Sequence, residues 1–270
     1  MHIDLTGRVA VITGAGRGIG RDIARRLARE GVRVIGLDVN AADLELLPGE
    51  LAQHGTEGDA FLCDITDEAR VNEVIGEVLA KHQRIDLLIN NAGIGATAPT
   101  DLLEVAAWRR VHEVNLTGTF IMSKAVIPAM KAQRSGRIIN AASFAAVIPS
   151  VAHAAYASSK MAVVQFTRAL AGELGPWNIT VNSYAPGMVP TLLNHFTERE
   201  AAEQDRLLGT LSLRRWETTD DIANLICFLA SDEAGYITGT LIDVSGGKLA
   251  TQNPAAAYDY AESGDISQIP

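Results

Sequence analysis

The sequence predicts an α/β fold: a doubly wound, mainly seven-stranded parallel sheet with helices on both faces, in one domain. Three observations carry that expectation. Short β-rich runs alternate with longer segments of helical spacing, the pattern of βαβ units. Several runs are continuously apolar rather than alternating, as expected of parallel strands buried on both faces. No linker, repeat or low-complexity block interrupts the order.

The β-rich runs are "RVAVIT" (8–13), "VRVIGLD" (32–38), "DAFLCD" (59–64), "IDLLIN" (85–90), "GRIINAA" (136–142), "NITVNSYA" (178–185) and "GTLIDVSG" (239–246). Helical spacing covers 18–30, 67–82, 101–132, 152–174 and 218–230. Two stretches break the rhythm. Residues 187–216 read as loop and short helix between the last two strands, and 248–270 form a small, polar tail with little periodicity. The expected organisation is therefore a domain over 1–247, with a lid around 187–216, followed by the tail 248–270.

A chain of 270 residues can bury about 75% of the surface its unfolded form exposes, enough for one core without staples. The balance of 23 basic against 32 acidic residues, net −9, argues against nucleic acid or an anionic membrane as partner. Cys63 and Cys227 make no disulfide framework and fit a reducing compartment. The apolar run at 9–12 is too short for a signal-peptide core, and Asp4 comes early. The neutral run 138–159 has the length of a membrane span but holds Asn140, Pro149 and His153. It reads as strand, loop and helix start. A soluble cytoplasmic protein is expected.

"VITGAGRGIGRDIARRLA" reads as strand, glycine-dense turn and helix. Glycines let backbone approach a phosphate, and a helix N-terminus offers free N–H groups and the positive end of its dipole. The spacing is Gly14-x-x-x-Gly18-x-Gly20 with Gly16 extra, not the general G-x-G-x-x-G fingerprint. Asp38 ends the second strand, where a dinucleotide fold places a carboxylate on the ribose hydroxyls. A 2′-phosphate ~4 Å from it would be repelled by about 4 kcal/mol at an effective dielectric of ~20. NAD is favoured over NADP, although Arg17 in the glycine loop pulls the other way. "YASSK" (156–160) sets Tyr156 and Lys160 four apart, on one face if helical. From Ile138 to Ser159 there is no Asp, Glu, Lys or Arg, so Lys160 reads as a partly buried cation.

Together these pieces resemble the short-chain dehydrogenase/reductase family in its smaller, single-domain, Rossmann-like form. The resemblance runs over nearly the whole chain: "TGAGRGIG" at 13–20, Asp38, "CDI" at 63–65, "NNAG" at 90–93, Asn115, Ser143, "YASSK" and "PGMVPT" at 186–191. It implies that Gly14, Arg17 and Ile19 line a pyrophosphate, that Asp64 and Ile65 flank the adenine, and that Asn91 meets the adenosine side. Val189 and Thr191 would hold the nicotinamide amide. Asn115, Ser143, Tyr156 and Lys160 would form a catalytic tetrad.

The chemistry suits these residue types. Hydride loss from a secondary alcohol leaves a proton that needs a base, and a free phenol with a pKa near ~10 is a poor one at neutral pH. A cation at ~4 Å would lower it by roughly three units. Lys160 is thus expected to tune Tyr156 and to bind the nicotinamide ribose. Ser143 would donate to the substrate oxygen, and Asn115 would hold a water linking Lys160 to solvent. His153, three before Tyr156, is a candidate substrate contact, set against a loop histidine satisfied by its neighbours. The histidines at 2, 54, 82, 112, 153 and 195 are too scattered for a metal site. Trp108, Trp177 and Trp216 read as packing residues, with Trp216 a candidate for the lid.

The expected function is NAD(H)-dependent interconversion of a secondary alcohol and a ketone, on a small-molecule substrate the sequence does not name. One alternative is an NADPH-dependent reductase of carrier-bound 3-oxoacyl chains, against which Asp38 stands. A second is a cofactor-sensing protein without catalysis, against which the intact tetrad stands. A third, an epimerase or dehydratase of the larger branch, is disfavoured by length and glycine spacing. The resemblance further implies a homotetramer built through 101–132, 152–174 and the last strand. The tail, with Tyr258 and Tyr260 amid alanine and acids, is expected to order only against a neighbouring subunit.

Overall fold

The computed structural model describes residues 3–191 and 196–264. The elements run β1 (Val9–Thr13), α1 (Gly18–Arg29), β2 (Arg33–Asp38), α2 (Ala41–Glu45), α3 (Leu47–Ala52), β3 (Asp59–Leu62), α4 (Glu68–His82) and β4 (Leu87–Asn90). There follow α5 (Val105–His112), α6 (Thr119–Gln133), β5 (Gly136–Ala141), α7 (Ala154–Leu174) and β6 (Ile179–Pro186). The last are α8 (Ala201–Leu208), α9 (Thr219–Ala230), β7 (Leu241–Val244) and α10 (Ala255–Ser263). The strands form one sheet in the order β3-β2-β1-β4-β5-β6-β7. Every pair is parallel.

Strand order reverses at β1, which pairs β2 on one side and β4 on the other. In a parallel sheet the loops at such a switch point open a crevice at the carboxyl ends of the strands. That edge carries the turn after β1, Asn91 after β4, Ser143 after β5 and Gly187 after β6.

The expected continuous apolar strands are those found: β1, β4 and β5 are buried at every position. One face is covered by α1 and α9, whose Ile23, Leu27, Ile222 and Ile226 share a core with Ile12 and Leu87. The other is covered by α4, α6 and α7, through Val74, Val78, Met122, Val126, Leu170 and Leu174. Each such side chain contributes about 1.5–3 kcal/mol on burial. Helix ends follow local chemistry. Asp67 caps α4 by accepting from Arg70 N, and Thr218 and Asp221 form a capping box at the start of α9.

Three segments differ from expectation. Between β2 and β3 lie two short helices that no long periodicity announces. The first is started by Asn40, whose side chain accepts from Ala42 N and Asp43 N. The helix expected over 101–132 begins at Val105 and is broken by a π-helical turn at Glu113–Gly118. The tail is not without structure of its own: α10 forms, and the Tyr258 hydroxyl donates to Ser212 O at 2.9 Å within the same chain. This corrects the expectation that only a neighbouring subunit orders it. A single aromatic hydroxyl reaching a free carbonyl supplies an anchor that composition does not reveal.

Candidate active site

The turn after β1 is shaped for close approach. Gly14 and Gly18 have φ of +67° and +55°, a region costly for residues with a Cβ. A side chain on Gly20 would collide with the Gly14 carbonyl, whereas one on Gly18 would meet nothing within 4 Å. The space over Gly18 is thus open while the floor beneath Gly20 is closed. Arg17, the N-cap of α1, gives no side-chain cap, and the first turn holds no acid. An uncapped helix start without acids, facing open space, fits a pyrophosphate. Ile19 packs against the core beside it.

Asp38 lies at this turn: Oδ2 accepts from Gly16 N at 3.0 Å and Oδ1 from Asn40 N at 3.1 Å. A Cβ on Gly16 would lie 2.9 Å from both Asp38 Oδ2 and Asp43 Cβ. A second acid therefore stands beside the ribose carboxylate that the sequence singled out. Arg17 is mostly exposed and leans towards Asp43, Nε to Oδ2 3.9 Å. Asp64 accepts from Thr66 N and from Arg110, and its hydrogen bonds hold the carboxyl below its usual range against the opposing effect of burial. Ile65 is buried under Gly118. Asn91 ties the crevice together, with Nδ2 donating to Thr13 O at 3.1 Å and Gly14 O at 3.3 Å. Its Oδ1 accepts from the fully buried Tyr184 hydroxyl. Val189, buried, and Thr191, half-buried, follow β6 at the same edge.

The four candidate catalytic residues come from different elements. Ser143 follows β5 and accepts from Ala145 N at 3.1 Å, which fixes its hydroxyl. Tyr156 stands on the first turn of α7, with Ser143 the polar side chain that works against the effect of burial on its phenol. Lys160, one turn on, is buried, with Nζ 5.7 Å from the Tyr156 ring centroid. Nζ donates to Ala141 O at 2.8 Å. Asn115 lies within the π-helical turn; such turns redirect a side chain that a regular helix would aim elsewhere. Its Nδ2 donates to Ile94 O at 3.0 Å and Ser159 Oγ at 2.9 Å, and its Oδ1 accepts from Ile94 N at 2.9 Å. A Cβ on Gly93 would lie 3.2 Å from Lys160 Nζ and 3.3 Å from Asn115 Oδ1, so these two polar groups flank one spot.

Burial pushes Tyr156 upward, opposed by Ser143, and burial lowers Lys160 to about 8. Burial thus disfavours the charged form of both groups. Ser143 is the partner that favours the phenolate. Asn115, in turn, spends its amide on Ile94 and Ser159, which makes it a brace between the β4 loop and α7.

His153 has both ring nitrogens engaged, Nε2 3.2 Å from Thr97 Oγ1 and Nδ1 2.9 Å from Val151 O. That is the satisfied loop histidine rather than the substrate contact. Trp216 stacks on Phe196 of the lid at 5.4 Å between ring centroids, whereas Trp108 stays 38% exposed. His2, His195 and lid residues 192–195 lie outside the described residues. Among the described residues no three His, Cys, Asp or Glu side chains cluster as metal ligands. No helix there is long and apolar enough to cross a membrane.

Sequence reasoning missed Glu217. It is 6% exposed, and its Oε2 accepts from Gly187 N at 2.5 Å while Oε1 has no partner. Burial, reinforced by nearby Asp221 and Asp243, pushes its pKa up to about 8 against the pull of Gly187 N–H and Arg215. It lines a cavity of about 230 Å³ with Arg215, Asp221 and Ser245. Nothing in "RRWETTDD" separates this acid from its exposed neighbours.

A crevice at the switch point, with a glycine cradle and a serine–tyrosine–lysine cluster, defines a dinucleotide-dependent oxidoreductase frame. The family model for short chain dehydrogenases matches residues 8–202. The chain is 36% identical over 243 residues to the 3-oxoacyl-acyl-carrier-protein reductase of Thermotoga maritima, covering 90% of this chain and 98% of that one. It is 37% identical to the D-threitol dehydrogenase of Mycolicibacterium smegmatis over 90% of this chain and 93% of that one. A crystal structure of NAD+-bound xylitol dehydrogenase superposes with a TM-score of 0.86 at 33% identity, covering 90% of this chain and 99% of that one. The chain belongs to the short-chain dehydrogenase/reductase family and is an oxidoreductase by that membership.

Proposed function

We propose that the chain is an NAD(H)-dependent dehydrogenase that interconverts a secondary alcohol and a ketone, with Tyr156 as general acid and base. The observation that carries this reading is the buried Lys160 amine 5.7 Å from the Tyr156 ring centroid, with the buried Ser143 at the end of the neighbouring strand. A bound nicotinamide supplies the hydride acceptor or donor. Gly14, Arg17, Gly18, Ile19 and Gly20 hold its pyrophosphate, and Asp38 its adenosine ribose. Asp64, Ile65 and Asn91 line the adenine end, and Val189 and Thr191 hold the carboxamide. Lys160 holds the nicotinamide ribose, with the Tyr156 ring packed beside it.

Ser143 donates to the substrate oxygen and keeps it against Tyr156. The alcohol proton passes to the Tyr156 oxygen. Lys160, with its pKa lowered to about 8, exchanges protons near neutral pH and carries the charge away beside Gly93. Asn115 keeps the Ile94 loop and α7 in register. NAD is preferred because Asp38 and Asp43 both face the place of a 2′-phosphate. The second reading, an NADPH-dependent 3-oxoacyl reductase, draws on Arg17 and on the names of several relatives. The acid at Asp43 that holds Arg17 weighs against it.

A cytoplasmic location is part of this reading and is supported by two unpaired, buried cysteines, Cys63 and Cys227, which suit a reducing compartment. A homotetramer is supported by exposed apolar residues on the expected helices: Val105, Trp108, Phe120 and Met161. The test is a panel of secondary alcohols with NAD and with NADP, followed by reduced-cofactor absorbance. Turnover with NAD is expected; preference for NADP, or no turnover of any alcohol, overturns the reading.

A further inference from the structure

The chain has five lysines, at 81, 124, 131, 160 and 248. Lys81 pairs with Asp59 and Lys124 with Glu68, while Lys131 lies over the Trp177 ring. Among the described residues the remaining two, Lys160 and Lys248, have only neutral oxygens as hydrogen-bond partners. Both stand at the carboxyl edge of the sheet. Lys160 belongs to the chemistry described above; Lys248 has no role in it.

Lys248 leaves β7, the strand paired with β6, so the fold puts it on the side of Ser143 and Gly187. The turn that delivers it is tight. Gly246 and Gly247 have φ of +66° and +85°, and a Cβ on Gly247 would strike the Ser212 side chain. Leu213 N donates to Gly246 O at 3.0 Å, and Lys248 N donates to Ser245 Oγ at 3.1 Å. From this fixed backbone the ammonium reaches Thr210 Oγ1 of the lid at 2.6 Å and lies 5.9 Å from the ring centroid of Phe144. Phe144 adjoins Ser143. The ammonium therefore bridges the lid and the loop that carries the candidate oxyanion donor.

Burial holds this lysine below its usual range, and no carboxylate offsets that effect. A half-buried ammonium between the lid and the Ser143 loop has lost part of its hydration, so an anion that joins it there is favoured. We infer that Lys248 is a specificity-determining residue: its ammonium pairs with a carboxylate carried by the substrate, so hydroxy and oxo acids are preferred over neutral alcohols and ketones. This rests on the alcohol–ketone reading and names the substrate class of that site.

The test compares straight-chain 2-, 3- and 4-hydroxy acids with their methyl esters, with NAD, in the wild type, Lys248→Met and Lys248→Arg. A charge-assisted contact of this kind is worth about 10- to 100-fold in preference. The wild type should favour one acid over its ester by that factor. Lys248→Met should lose the preference and Lys248→Arg should keep most of it. A wild type that takes ester as readily as acid overturns the inference without any variant. So does a Lys248→Met enzyme whose acid-to-ester ratio stays within twofold of wild type. A second readout needs no turnover: NADH fluorescence of the loaded wild type, titrated with butyrate, hexanoate and their amides. Saturable binding of a carboxylate but not of its amide, lost in Lys248→Met, supports the site; equal response to acid and amide sinks it. Binding of carboxylate with no oxidation of any alcohol would leave Lys248 standing and overturn the reaction class instead.

Discussion

Replacing Glu217 by glutamine tests whether a buried carboxylic acid supports the segment after β6. The group is 6% exposed, one oxygen is bound to Gly187 N and the other has no partner. Its pKa is raised from 4.5 to about 8, chiefly by burial. The folded chain therefore keeps a proton that the unfolded chain releases above pH ~4.5. Folding stability from this group is fullest below that pH, falls as pH rises towards about 8, and is level beyond. The whole loss is on the order of 5 kcal/mol, at about 1.36 kcal/mol per pK unit. Glutamine cannot ionise, and its carbonyl still accepts from Gly187, but its amide brings donors that cost about 1–3 kcal/mol if unmatched. Glu217→Gln should thus be the less stable protein at pH 5 and the more stable one above pH 8. The assay is urea unfolding at fixed protein concentration from pH 5 to 9. Stability curves that run parallel across that range would show that Glu217 is ionised throughout, and the reasoning fails.

Tyr156→Phe should lower turnover by about 10²- to 10⁴-fold, the usual worth of a general acid–base group, with NAD affinity within twofold of wild type; substantial activity at any pH refutes its role. Lys160→Met should lower both turnover and NAD affinity, read as kcat and as NAD dissociation in a fluorescence titration. Asp38→Ala should shift the NADP-to-NAD ratio of kcat/KM upward by at least about tenfold, from the repulsion between an acid and a 2′-phosphate; a wild type that prefers NADP contradicts the reading of Asp38. Gly20→Ala must displace the Gly14 carbonyl, so it should weaken NAD binding and lower stability by about 1–3 kcal/mol, as overpacking does; unchanged NAD affinity would mean that the turn does not form the cradle.

The fold was legible because its signals are local and repeated. Continuous apolar runs such as "AVIT" and "DLLIN" suit only strands covered on both faces, and alternation with helical spacing leaves few topologies. The glycine turn and the Tyr156–Lys160 spacing were legible for the same reason, since four residues on a helix fix a shared face wherever that helix lies. The short helices after β2 and the π-helical turn that aims Asn115 were not, because segments of five or six residues are too short to show a period of their own. Electrostatics was least legible. Tyr156 and Lys160 read from sequence as a phenol tuned by a cation. Yet burial raises the phenol and lowers the amine, and how far depends on what β5 and the β4 loop lay over them. Glu217 in a run of polar residues reads as surface until Met188 and Gly187 fold against it. Periodicity belongs to the chain and survives in the sequence; desolvation is a property of the assembled neighbourhood, so only the tertiary structure decides it.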